Sequence, residues 1–91
     1  MTTNDELEKA RQEALADAES HDPKDFMPGS FGCHEALHAT SILLDSVGRH
    51  LLCHPTILHD PEFYALADQA HAALFDLYQA IGAKHLEEEG A

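Results

Sequence analysis

Between residues 31 and 53 the apolar positions Leu37, Leu44, Val47 and Leu51 recur at spacings of seven, three and four, with Leu43 widening the stripe. Such spacing puts side chains on one face of an α-helix. The pattern predicts a helix over about 31–53. Ser30 suits its N-cap. Pro55 ends it, because the residue before a proline is pushed out of the helical region. A second stripe follows at Phe63, Leu66, Ala70, Leu74, Leu77 and Ile81. It predicts a helix over about 61–82, with Asp60 as cap, Pro61 in the first position, Glu62 at the positive helix end and Gly82 as the stop. The short connection 54–60 makes the two helices antiparallel neighbours.

The N-terminal pattern is thinner. Residues 4–20 are rich in Ala, Glu, Gln and Leu, which favour helix, and Thr3 or Asn4 can cap it. Their apolar stripe is only Leu7, Ala10, Ala14, Leu15 and Ala18. A weakly packed helix over about 4–20 is expected. Pro23, Pro28, Gly29 and Gly32 then break the pattern, and Phe26, Met27 and Phe31 can pin this linker to the core. The expected fold class is all-α. Residues 1–30 form an acidic helix and linker, 31–86 a helical hairpin and 87–91 an acidic disordered tail, with residues 83 onward fraying. A lone hairpin cannot cover both of its apolar faces, so the first helix or a second subunit must cover them, and pairing into a four-helix bundle is the simplest expectation.

Composition narrows the functional classes. The chain has 91 residues and a net charge of −12. One domain at most fits this length, and a polyanionic nucleic acid is an improbable direct partner. The acid is concentrated at the ends: residues 31–86 hold six acids against two bases. Such ends suit a solvated surface, or a protein partner that is basic. No signal peptide or membrane span is visible. The two cysteines, Cys33 and Cys53, are too few for a disulfide scaffold. A cytoplasmic location is expected.

The candidate chemistry starts with His34-Glu35-Ala36-Leu37-His38. On a helix, residues four apart share a face, so both imidazoles could hold one zinc ion while Glu35 serves as general base. These five residues resemble the zincin metallopeptidase motif, and the resemblance covers nothing beyond them. A zincin needs a third ligand. If the chain reverses near residue 57 or 58, position 34 faces about 81 and position 38 about 77. Tyr78 and His85 are then the nearby candidates, and Glu62 lies at the far end. Glu35-x-x-His38 and Asp68-x-x-His71 together resemble the carboxylate-histidine pairs of ferritin-like dinuclear sites. His71 is expected opposite position 44, about 9 Å along the axis from His38.

A second cluster, His50, His54 and His59 with Cys53 beside it, could hold zinc or act as a pH sensor. Its bland reading is solvated histidines near a helix end. Cys33, in a first helical turn, is either a reactive thiolate or a small core residue. Tyr64, His71, Phe75 and Tyr78 form an aromatic stripe, for packing or for a partner. Without a complete catalytic set, the chain is read as a non-enzymatic interaction protein: a homo-oligomer, or an adaptor, regulator or inhibitor of a basic or apolar-grooved protein. No cofactor is expected on that reading. The alternative is a zinc- or iron-binding helical protein using His34, Glu35 and His38, with a minimal zincin-like hydrolase behind it.

Overall fold

Asn4–Asp17 form helix α1, exposed along its whole length. The structure is a computed structural model that describes residues 4–18 and 22–89. The Thr3 cap, and residues 19–20 of the expected first helix, lie outside the described residues. Every described regular element is a helix or helical turn, as the apolar spacings require.

Helix α1 is held by its own side chains. Arg11 pairs with Glu8 one turn back, and Gln12 donates to the same carboxylate at 3.0 Å. The Arg11 bond, then the Gln12 bond, lowers the Glu8 carboxyl from its ordinary 4.5 to about 2. A lowered folded value means a contribution present above pH 4.5 and lost as pH falls towards 2. The pair is fully solvated, so the effect is small. Amide chemical shifts of residues 8–12 are expected to lose helical character over that acid range, and to be flat in a Glu8→Gln variant.

Residues 22–30 are built from local caps. The Asp22 side chain accepts from the Lys24 amide at 3.0 Å and starts a single 3-10 turn, Pro23–Asp25. Gly29 has φ 90, a left-handed conformation that glycine adopts without a Cβ penalty. Ser30 then caps helix α2, Phe31–Ser46, its Oγ accepting from the Cys33 amide at 3.2 Å.

The expected helix over 31–53 is divided. Past Ser46 the backbone widens into a π turn, Val47–Leu51, where the Leu52 amide donates to the Val47 carbonyl at 3.1 Å. The connection is not irregular either. His54 caps a short helix α3, Pro55–Leu58, its Nδ1 accepting from the Thr56 amide at 3.1 Å. Helix α4, Pro61–Glu89, begins where the sequence indicates. The Asp60 carboxylate accepts from the Glu62 and Phe63 amides at 2.9 and 3.0 Å.

Gly82 does not stop α4. Its φ is not positive, and it faces Leu37, whose Cδ1 would stand 3.6 Å from a Cβ built there. The helix continues through Glu89 instead of fraying from residue 83. Helices α2 and α4 run in opposite directions along each other. Gly48 meets His71, Leu37 meets Gly82, and His34 meets His85. The expected register is therefore wrong by about four residues, one turn. The cause is α3. Because Pro55–Leu58 coil before the chain turns back, the reversal falls at His59 and Asp60.

The interior is thin. Ala67 is the one buried apolar residue among those described. Thr40 is also buried, its hydroxyl donating to the Ala36 carbonyl at 2.8 Å. Leu37, Leu44, Val47, Leu74, Tyr78 and Ile81 are half-buried between the helices.

Candidate functional site

The shifted register brings together one polar group that spans both helices. His85 is 2% exposed, the most buried large side chain described. It sits on the inner stripe of α4, which runs through Ala67, His71, Leu74, Tyr78 and Ile81 at spacings of three and four. Its Nδ1 accepts a hydrogen bond from the Gly29 amide at 3.0 Å. That bond requires an unprotonated Nδ1. The His34 ring lies 5.8 Å from the His85 ring, centroid to centroid, tilted by 41°. Phe31 stacks on His34 with ring centroids 6.5 Å apart. One imidazole thus fastens the 22–30 segment, the first turn of α2 and the last turns of α4.

The pentad divides around this clasp. The inner face of α2 is set by Leu37, Thr40 and Leu44, so the flanking positions point away from α4. His34, Glu35 and His38 are all exposed, and of the three only His34 has its ring against His85. Glu35 lines a surface depression of about 440 Å³ with Asp25, Phe26, Ser30, Phe31 and Gly32. Of the two residues named as third ligands, His85 is beside His34, and Tyr78 lines a separate groove with Leu37, Gln79, Gly82 and Leu86.

Among the described residues no group of three His, Cys, Asp or Glu is placed to hold a metal ion. The carboxylate-histidine pairs are further apart than expected. His71 lies opposite Gly48, ten residues from His38, or about 15 Å along the helix. In the turn cluster, His50, His54 and His59 are all exposed, and His54 spends its Nδ1 on the α3 cap. Cys33 is half-buried and Cys53 exposed, both as free thiols. The aromatic stripe is divided too: His71 and Tyr78 turn towards α2, while Tyr64 and Phe75 stay exposed. No described helix is long and apolar enough to cross a membrane.

Comparison with protein-family models, with curated proteins and with solved structures finds no match to this chain. Its function therefore has to be read from its own surface and its own chemistry.

Proposed function

We propose that this chain is a small acidic, non-enzymatic helical protein that acts through protein–protein contact, and that its first partner is a second copy of itself. In this reading α2 and α4 form a helical hairpin that is half of a bundle. The observation that carries it is surface left over after folding. The accessible surface is 7224 Å², where a compact monomer of this length exposes about 5,200 Å².

Part of the excess belongs to α1. On the helix pair, Leu43, Phe63, Leu66 and Leu77 are 45–57% exposed. Apolar area of this extent is removed from water most simply by pairing, and a standard interface takes about 800 Å² from each partner. The net charge of −12 supports a basic protein as any further partner.

Sedimentation velocity over a range of chain concentrations tests the proposal. A discrete species of twice the chain mass is expected. A monomer at every concentration would sink it, since α1 or the linker would then suffice to cover the apolar faces.

A further inference from the structure

We infer that the second copy docks on one flank of the α2–α4 pair, an acid-free strip of alanine and leucine: Leu66, Ala70, Ala73 and Leu77 on α4, with Ala36 and Leu43 on α2. The inference rests on the self-pairing proposed above and says where that pairing occurs.

The residues between the helices fix the direction of each flank. On α4 the inner stripe is Ala67, His71, Leu74, Tyr78 and His85, buried or half-buried. At about 100° per residue, Leu66, Ala70, Ala73 and Leu77 fall to one side of that stripe. Tyr64, Asp68, Phe75 and Gln79 fall to the other. On α2 the inner stripe is Leu37, Thr40 and Leu44. Ala36 and Leu43 lie on one side of it, His34 and Asp45 on the other.

Two right-handed helices running in opposite directions carry matching angular offsets to the same side of their common plane. The Ala/Leu sides of α2 and α4 are therefore continuous. So are the mixed sides, which carry His34, Asp45 and Asp68. All six residues of the Ala/Leu strip are exposed.

Charge decides between the two flanks. Each copy brings a net charge of −12, so self-association through a face containing acids would set like charges together away from water. The mixed flank would oppose Asp68 with its counterpart, and with it Asp45, whose carboxylate is ion-paired to Arg49 at 2.9 Å. Residues 63–81 on the Ala/Leu side carry no ionisable group, nor do Ala36, Ala39 and Leu43. The small side chains of Ala36, Ala70 and Ala73 also permit close helix approach, with Leu43, Leu66 and Leu77 filling the space between axes. Stacking two hairpins on this flank gives a four-helix layer pair with the acids outside.

Two sets of variants, compared by sedimentation with the unaltered full chain, test the placement. Glutamate is a good helix former, so Ala70→Glu with Ala73→Glu should keep α4 helical by far-UV circular dichroism. This pair is expected to weaken the dimer at least about a hundredfold. Leu66→Gln with Leu77→Gln gives the same answer without added charge. Tyr64→Glu with Phe75→Glu, on the opposite flank, should leave the dimer intact.

A dimer that survives the Ala and Leu changes overturns the placement. So does a dimer broken only by the Tyr64/Phe75 change, or equally by both sets. In each of those cases self-pairing itself stands. A monomeric unaltered chain overturns both.

Discussion

Truncating His85 to alanine is expected to lower stability by about 2–4 kcal/mol, the range for emptying a well-buried site and orphaning a hydrogen-bond partner. In a domain of this size that is a fall of about 8 °C or more in thermal midpoint, taking about 4–8 °C per kcal/mol. The effect is large because so little else is buried. His85 is 2% exposed, and the only buried apolar residue described is Ala67.

Alanine removes three things at once: the ring that fills the end of the helix pair, the acceptor of the Gly29 amide at 3.0 Å, and the contact with His34 at 5.8 Å. His85→Phe separates them. It keeps a ring and removes the acceptor, so its cost should be intermediate, about 1–2 kcal/mol for a buried amide left unpaired. Both variants are compared with the unaltered chain at one fixed chain concentration, because self-association would make midpoints concentration-dependent. An alanine variant as stable as the parent would show that the clasp does not hold the fold. A phenylalanine variant equal to the parent would show that the Gly29 bond contributes nothing net.

Local signals carried the sequence reading furthest. Ser30 and the Asp60-Pro61-Glu62 run mark helix starts through groups within three residues, and the structure starts α2 and α4 there. The α2 stripe is placed correctly at Leu37, Leu44 and Val47, but the α4 stripe is not: Phe63, Leu66, Ala70 and Leu77 are exposed, and the inner face runs through Ala67, His71, Leu74, Tyr78, Ile81 and His85 instead. What failed depended on groups far apart in the chain. Pro55 serves equally as the end of one helix and the first residue of another. Only the His54 cap, an unusual residue in that role, resolves it towards α3. That one ambiguity moved the reversal by two residues and every cross-helix pairing by about four.

Gly82 reads as a stop when seen alone. Opposite Leu37 it is an inner helical position with ordinary room for a side chain, and α4 runs on to bury His85. The signal for His85 was present in its spacing of four from Ile81 and seven from Tyr78. For the site, the His34-to-His38 pentad is legible as a motif. Its use turns on which way each side chain points, and the Leu37–Thr40–Leu44 stripe turns Glu35 and His38 outward.

Two glycine-to-alanine changes in the same helix pair are expected to have opposite signs. An exposed helical glycine replaced by alanine normally gains up to about 1 kcal/mol, because the unfolded chain loses freedom and the helix gains propensity. At Gly82 nothing opposes that gain. The added Cβ would lie 3.6 Å from Leu37 Cδ1, an ordinary contact, so Gly82→Ala should stabilise.

At Gly32, in the first turn of α2, the added Cβ would fall well inside contact range of the Asp25 carbonyl oxygen and Phe26 Cδ1, and 3.0 Å from Phe26 Cε1. The Phe26 ring is 55% exposed and can swing away. The Asp25 oxygen is main chain, the last residue of the Pro23–Asp25 turn, and cannot move without lifting that turn off the helix. Overpacking of this kind costs about 1–3 kcal/mol, which exceeds the propensity gain. Gly32→Ala should therefore destabilise by up to about 2 kcal/mol and speed amide exchange at residues 24–30. Denaturant midpoints for the two variants give the comparison directly. If Gly32→Ala stabilises as much as Gly82→Ala, the turn is not seated on α2, and the Gly29 bond to His85 loses its anchor with it.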